Sequence, residues 1–76
     1  MVVYEVIYII KEDGQTLVES YVFDNFKNAK ELFLSLYKEY KDEEYTDEGT
    51  DFENQGECVG FNENGEALYL RKKKVQ

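Results

Sequence analysis

The sequence predicts an α+β domain of order ββαββ, a four-stranded antiparallel sheet with one helix packed on one face, and three observations predict it. Stretches rich in β-branched and aromatic residues flank Asp13-Gly14, a second pair flanks Asn64-Gly65, and a single segment between them has apolar residues at helical period. Seventy-six residues make one domain, 1–76. A chain this short buries only about 60% of its unfolded surface, so nearly every apolar residue is needed for the core.

Val2 to Ile10 and Thr16 to Phe23 form the first hairpin. With Asp13-Gly14 as a two-residue turn, opposed residues have numbers summing to 27. Ile10 then faces Leu17, Tyr8 faces Glu19, Val6 faces Tyr21 and Tyr4 faces Phe23. The other side of this hairpin carries Val3, Glu5, Ile7, Ile9, Val18, Ser20 and Val22. The first strand is apolar on both sides and is therefore placed inside the sheet, where it exposes no edge.

Asp24 to Lys41 is the helix. Phe26, Ala29, Phe33, Leu36 and Tyr40 alternate steps of three and four and so share one face. Asp24 or Asn25 can cap its first turn, and Asn28 with Glu31 has capping-box spacing, which places the start between Asn25 and Asn28. Leu34 points away from the stripe and is expected to be exposed. The helix should end between Lys41 and Glu44, because the following YTDEGTDFENQG loses periodicity and contains glycines, as a loop does.

In the second hairpin Asn64-Gly65 sets paired numbers that sum to 129. Phe61 then faces Leu68, Val59 faces Leu70, and Glu57 faces Lys72. On the other side Gly60 lies across from Tyr69, which covers its bare backbone, and Cys58 lies across from Arg71. With no histidine to activate it, Cys58 is a structural residue. A single cysteine allows no internal disulfide and fits a reducing, cytoplasmic setting.

The net charge of −8 repels phosphate, which argues against direct nucleic-acid binding. The apolar N-terminal run contains Glu5 and is far shorter than the roughly 20 residues of a membrane span, so no membrane role is expected. There is no histidine, nucleophile elbow or phosphate-cradling glycine loop, and the carboxylates define no acid–base pair, so an enzyme is not expected. No cofactor or zinc site is implied. Asp42, Glu44, Thr46, Glu48 and Glu53 match the ligand spacing of a calcium loop, but Asp47 stands where its turn needs glycine, and no helix follows.

Two surfaces remain as candidates for partner binding. From Glu39 to Glu57 nine carboxylates stand against one lysine, and Asp42, Glu43, Glu44, Asp47, Glu48, Asp51 and Glu53 form the centre of that run. Carboxylates spaced along a surface suit a basic groove. The second surface arises if the helix covers the aliphatic side of the first hairpin, for then Tyr4, Tyr8, Tyr21 and Tyr69 share the open face of the sheet. The basic tail Arg71 to Lys74 reads as protection of a sheet edge.

The leading expectation is a small acidic protein-binding module, an inhibitor that occupies the basic surface of a nucleic-acid-handling protein by mimicking nucleic acid. In size and charge the chain is similar to small acidic proteins carried by phages and other mobile elements, without a shared motif. The alternative is a small structural domain that homodimerises through the tyrosine-rich open face.

Overall fold

The computed structural model describes residues 1–45 and 57–75. Strands β1 (Val2–Glu12) and β2 (Gln15–Phe23) are followed by helix α1 (Phe26–Lys41), then β3 (Glu57–Glu63) and β4 (Glu66–Lys74), in the expected ββαββ order. Asp13, Gly14, Asn64 and Gly65 have φ of 52°, 79°, 54° and 79°. Positive φ at both central residues is the turn whose twist matches that of the strands. The first hairpin accordingly has its expected register, from Tyr4 opposite Phe23 to Glu12 opposite Gln15.

The sheet order is β2-β1-β4-β3, with β1 internal as expected. β4 is its other neighbour, so the basic tail does not guard an edge. Val2 pairs with Lys74, and Lys73 Nζ stands 2.9 Å from Glu5 Oε1. The edges are β2 and β3.

The second hairpin departs from its expected register at Gly60. Phe61 pairs with Leu68 as the turn dictates, but Val59 pairs with Tyr69, Cys58 with Leu70 and Glu57 with Arg71. The anticipated partners Gly60–Tyr69, Val59–Leu70, Cys58–Arg71 and Glu57–Lys72 are all displaced. Gly60 is the extra residue of a β-bulge, and a one-residue offset reverses the face of everything before it. Cys58 thereby enters the core at 5% exposure, while Val59 turns outward at 44%. Glycine is required here because a Cβ would meet Leu68 Cδ2 at 2.9 Å and Phe33 Cζ at 3.2 Å.

Asn25 is the N-cap of α1; its backbone is extended and its side chain accepts a hydrogen bond from the Asn28 N–H at 2.9 Å. At the other end Asp42 adopts the left-handed conformation, φ 55° and ψ 35°, and its N–H donates to Lys38 O at 2.8 Å. Lys38 and Lys41 in the last turn offset the negative end of the helix. Ala29 and Phe33 are buried, Phe26, Leu36 and Tyr40 are half-buried, and Leu34 is exposed, as the apolar stripe implies.

The core consists of Val6, Ala29, Phe33, Cys58, Phe61, Leu68 and Leu70. It shows which side of β1 the helix covers. Val6 pairs with Leu70 and Tyr8 with Leu68, so the even-numbered residues of β1 share a face with the leucines under α1. The expectation that the helix covers the aliphatic side of the first hairpin is corrected. Tyr4 packs on Phe26 with ring centroids 5.7 Å apart, and Tyr8 meets Phe61 edge-on at 6.4 Å. Among the described residues no helix is long and apolar enough to cross a membrane.

Candidate functional site

Antiparallel pairing of β1 with β4 brings both hairpin turns to the same end of the sheet. There the Lys11 N–H donates to Glu66 Oε2 at 3.0 Å. The helix starts at the other end, beyond the Tyr4–Phe23 pair, and runs toward the turns. Its last turn is seated by Tyr40, which stacks on Phe61 at 4.1 Å with 13° between the rings and donates to Glu66 Oε1 at 2.5 Å. Lys41 forms an ion pair with Glu63, and the Tyr37 hydroxyl donates to Glu43 Oε1 at 3.2 Å.

Carboxylates from three separate stretches thus lie at one end: Glu12 and Asp13 from the first turn, Glu39, Asp42 and Glu43 from the helix terminus, and Glu63 and Glu66 from the second turn. Lys11, Lys38 and Lys41 offset them only in part. The Tyr8 hydroxyl senses this field. Burial raises its pKa, and Glu39, Glu19, Glu66 and Glu12 raise it further. Lys72, Lys73 and Lys74 lie at the opposite end of the sheet, so among the described residues charge is separated along the strand direction.

Of the residues singled out in the sequence, Asp42, Glu43 and Glu44 are exposed; Asp42 and Glu43 follow the helix at this acidic end, whereas Glu44 lies beside Leu34, Lys38 and Tyr45, where the chain has turned back along the helix. Asp47, Glu48, Asp51 and Glu53 lie outside the described residues, as does most of the calcium-loop spacing. Among the described residues no group of three or more potential metal ligands is gathered. Tyr45, read as the first residue of the loop, packs edge-on against Phe33 at 5.1 Å and Tyr37 at 5.0 Å. Its hydroxyl lies 2.9 Å from Cys58 Sγ and 3.2 Å from Val59 O. Tyr45 is thereby anchored to the core.

The four tyrosines do not share a surface. Tyr4 and Tyr8 lie between sheet and helix, and Tyr21, opposite Val6, is on that same side at the β2 edge, 40% exposed. Only Tyr69 of the four stands on the open face, opposite Ile7. Glu12, Asp13, Glu63 and Glu66 are acidic-end residues that the sequence pattern did not single out, and Glu39 joins them from the start of the acidic run. Their signal was present, since each hairpin turn is flanked by carboxylates, but which end of the sheet each turn occupies depends on the β1–β4 pairing.

The Tyr40–Glu66 hydrogen bond predicts a pH dependence. It pushes the Tyr40 pKa up to about 12 and draws Glu66 below the usual carboxylate range, aided by the Lys11 N–H. A raised pKa in the folded state stabilises below the unfolded value of about 10, and that contribution is lost as pH rises through about 12. The lowered Glu66 pKa contributes above 4.5 and is lost as pH falls below it. Urea midpoints of the wild type should decline more steeply than those of Tyr40→Phe between pH 10 and 12. Parallel profiles would contradict the bond.

Comparison with protein-family models, curated proteins and solved structures finds no match to this chain.

Proposed function

We infer that this chain is a small acidic protein-binding module whose acidic end docks on the basic surface of a nucleic-acid-handling protein, in the place of a phosphate backbone, and inhibits it. The observation that supports this most is the convergence of carboxylates from two hairpin turns and one helix terminus at a single end. Glu63 and Glu66 are held by Lys41 and Tyr40, so part of the charge is presented in a fixed geometry with little ordering cost on binding. Among the described residues Lys72, Lys73 and Lys74 lie at the far end, and this separation of charge favours approach to a basic groove by the acidic end. The role is one of binding, without catalysis.

The expected partners are basic nucleic-acid-binding proteins captured from the native host. Capture should weaken as salt rises, and added nucleic acid should compete. Neutralising Asp42, Glu43, Glu44, Asp47, Glu48, Asp51 and Glu53 together to their amides should abolish capture. Neutralising Glu12, Asp13 and Glu39 should weaken it about tenfold, or about 1.4 kcal/mol. Undiminished capture by the first variant, or partners that are not displaced by nucleic acid, would sink the reading.

A further inference from the structure

The face of the sheet turned away from α1 is aliphatic. Along the rows set by strand pairing it carries Val22, Glu5, Arg71 and Glu57; then Ser20, Ile7, Tyr69 and Val59; then Val18, Ile9, Ala67 and Asn62. Val18 and Val22 are 64% and 61% exposed, and Val59 is 44% exposed. No described element covers them. Four strands spaced about 4.8 Å apart, over about seven residues of about 3.3 Å each, give a projected face of roughly 440 Å². Two such faces together bury roughly 900 Å², the size of a weak, reversible interface.

The charges of this face indicate what covers it. The chain as a whole carries −8, so most contacts between two copies are repulsive. On the open face, however, Glu5 and Glu57 are balanced by Arg71 and Lys73. Glu5 accepts from Ser20 Oγ at 2.8 Å and pairs with Lys73 at 2.9 Å, Arg71 Nε lies 3.9 Å from Glu57, and the Arg71 guanidinium sits 5.2 Å from the Tyr69 ring centre. This face approaches another copy of itself without net repulsion.

The rows are also self-complementary. The centre line of the sheet runs between β1 and β4. A twofold axis along that line, in the plane of contact, sets each half of the sheet over the other half of a second copy in the same row. Glu5 then opposes Arg71 and Arg71 opposes Glu5, Ile7 opposes Tyr69, and the bulky Ile9 opposes the small Ala67. The usual angle of about 30° between packed sheets displaces the corners most and these central residues least. We propose that two copies of this chain pack open face to open face as a twofold β-sandwich, with reciprocal Glu5–Arg71 pairs flanking an Ile7, Ile9 and Tyr69 centre. This surface is separate from the acidic end, so either reading can fail without the other.

Sedimentation of the full chain over a concentration series tests the pairing. A reversible dimer is expected, tightening as salt screens the charge outside the interface. Val18→Asp, at an exposed edge position, should weaken dimerisation at least tenfold with native circular dichroism retained. Glu5→Arg and Arg71→Glu should each be monomeric alone and should form a heterodimer when mixed, because the exchange restores opposite charges across the axis. A monomer at about 1 mM, a dimer indifferent to Val18→Asp, or two charge variants that fail to associate when mixed while both are folded, overturns the proposal.

Discussion

Phe33→Ala is expected to cost about 3–5 kcal/mol, the largest effect of any single truncation among the described residues. Phe33 is 1% exposed and is the largest fully buried side chain among the described residues. It joins all parts of the fold: its ring end meets the bare backbone at Gly60, its edge meets Tyr45, and it belongs to the cluster that includes Val6, Leu68 and Leu70. A domain of this size has about 4–11 kcal/mol of stability in total. Phe33→Ala should therefore lose about a quarter or more of it and leave the helix poorly seated. Leu34→Ala, on the neighbouring position but 36% exposed, should change stability by about 0.5 kcal/mol or less. Urea unfolding followed by circular dichroism measures both, and equal costs would mean that α1 does not dock by this face.

The second large effect concerns the bulge. Leu68 is fully buried, and Leu68→Ala should cost about 2–5 kcal/mol. Gly60→Ala should cost about 1–3 kcal/mol, because the added methyl lands among side chains that are themselves packed on all sides. The two sites are coupled. The atoms nearest to the new Cβ are Leu68 Cδ2 at 2.9 Å and Leu68 Cγ at 3.2 Å, and shortening Leu68 removes both. The double variant should therefore be about 1 kcal/mol more stable than the sum of the single losses predicts. Strict additivity would show that the contact with Phe33, rather than with Leu68, sets the cost at Gly60.

The residues that were legible in the sequence are those whose conformation depends on near neighbours. Asp13-Gly14 and Asn64-Gly65 specify two-residue turns by the φ they tolerate, and each turn then sets the pairing beside it. Phe26 to Tyr40 reads as a helix because its period is that of one face, and Asn25 caps it with an atom three residues away. The acidic end was legible only in its helix-terminal part, where Asp42 and Glu43 follow one another in the chain. Glu12, Asp13, Glu63 and Glu66 join them through strand pairing across more than fifty residues, which no local pattern encodes.

The sequence by itself determined the five elements, their order, both turns and the buried stripe of the helix, because propensity, turn chemistry and periodicity are properties of short stretches. Only the tertiary structure decided which side of β1 the helix covers and which residue of β3 leaves the ladder. The first follows from the parity of the β1–β4 register: Val6 opposite Leu70 turns Tyr4 and Tyr8 inward and leaves Ile7 and Ile9 outside. The second follows from the close approach of Phe33 and Leu68 to Gly60, which exchanges Cys58 and Val59 between core and surface. Both are one-residue choices with opposite outcomes for every side chain concerned, since side chains alternate along a strand. The pairing partner that makes the choice is distant in the chain, so it is the packed core that settles it.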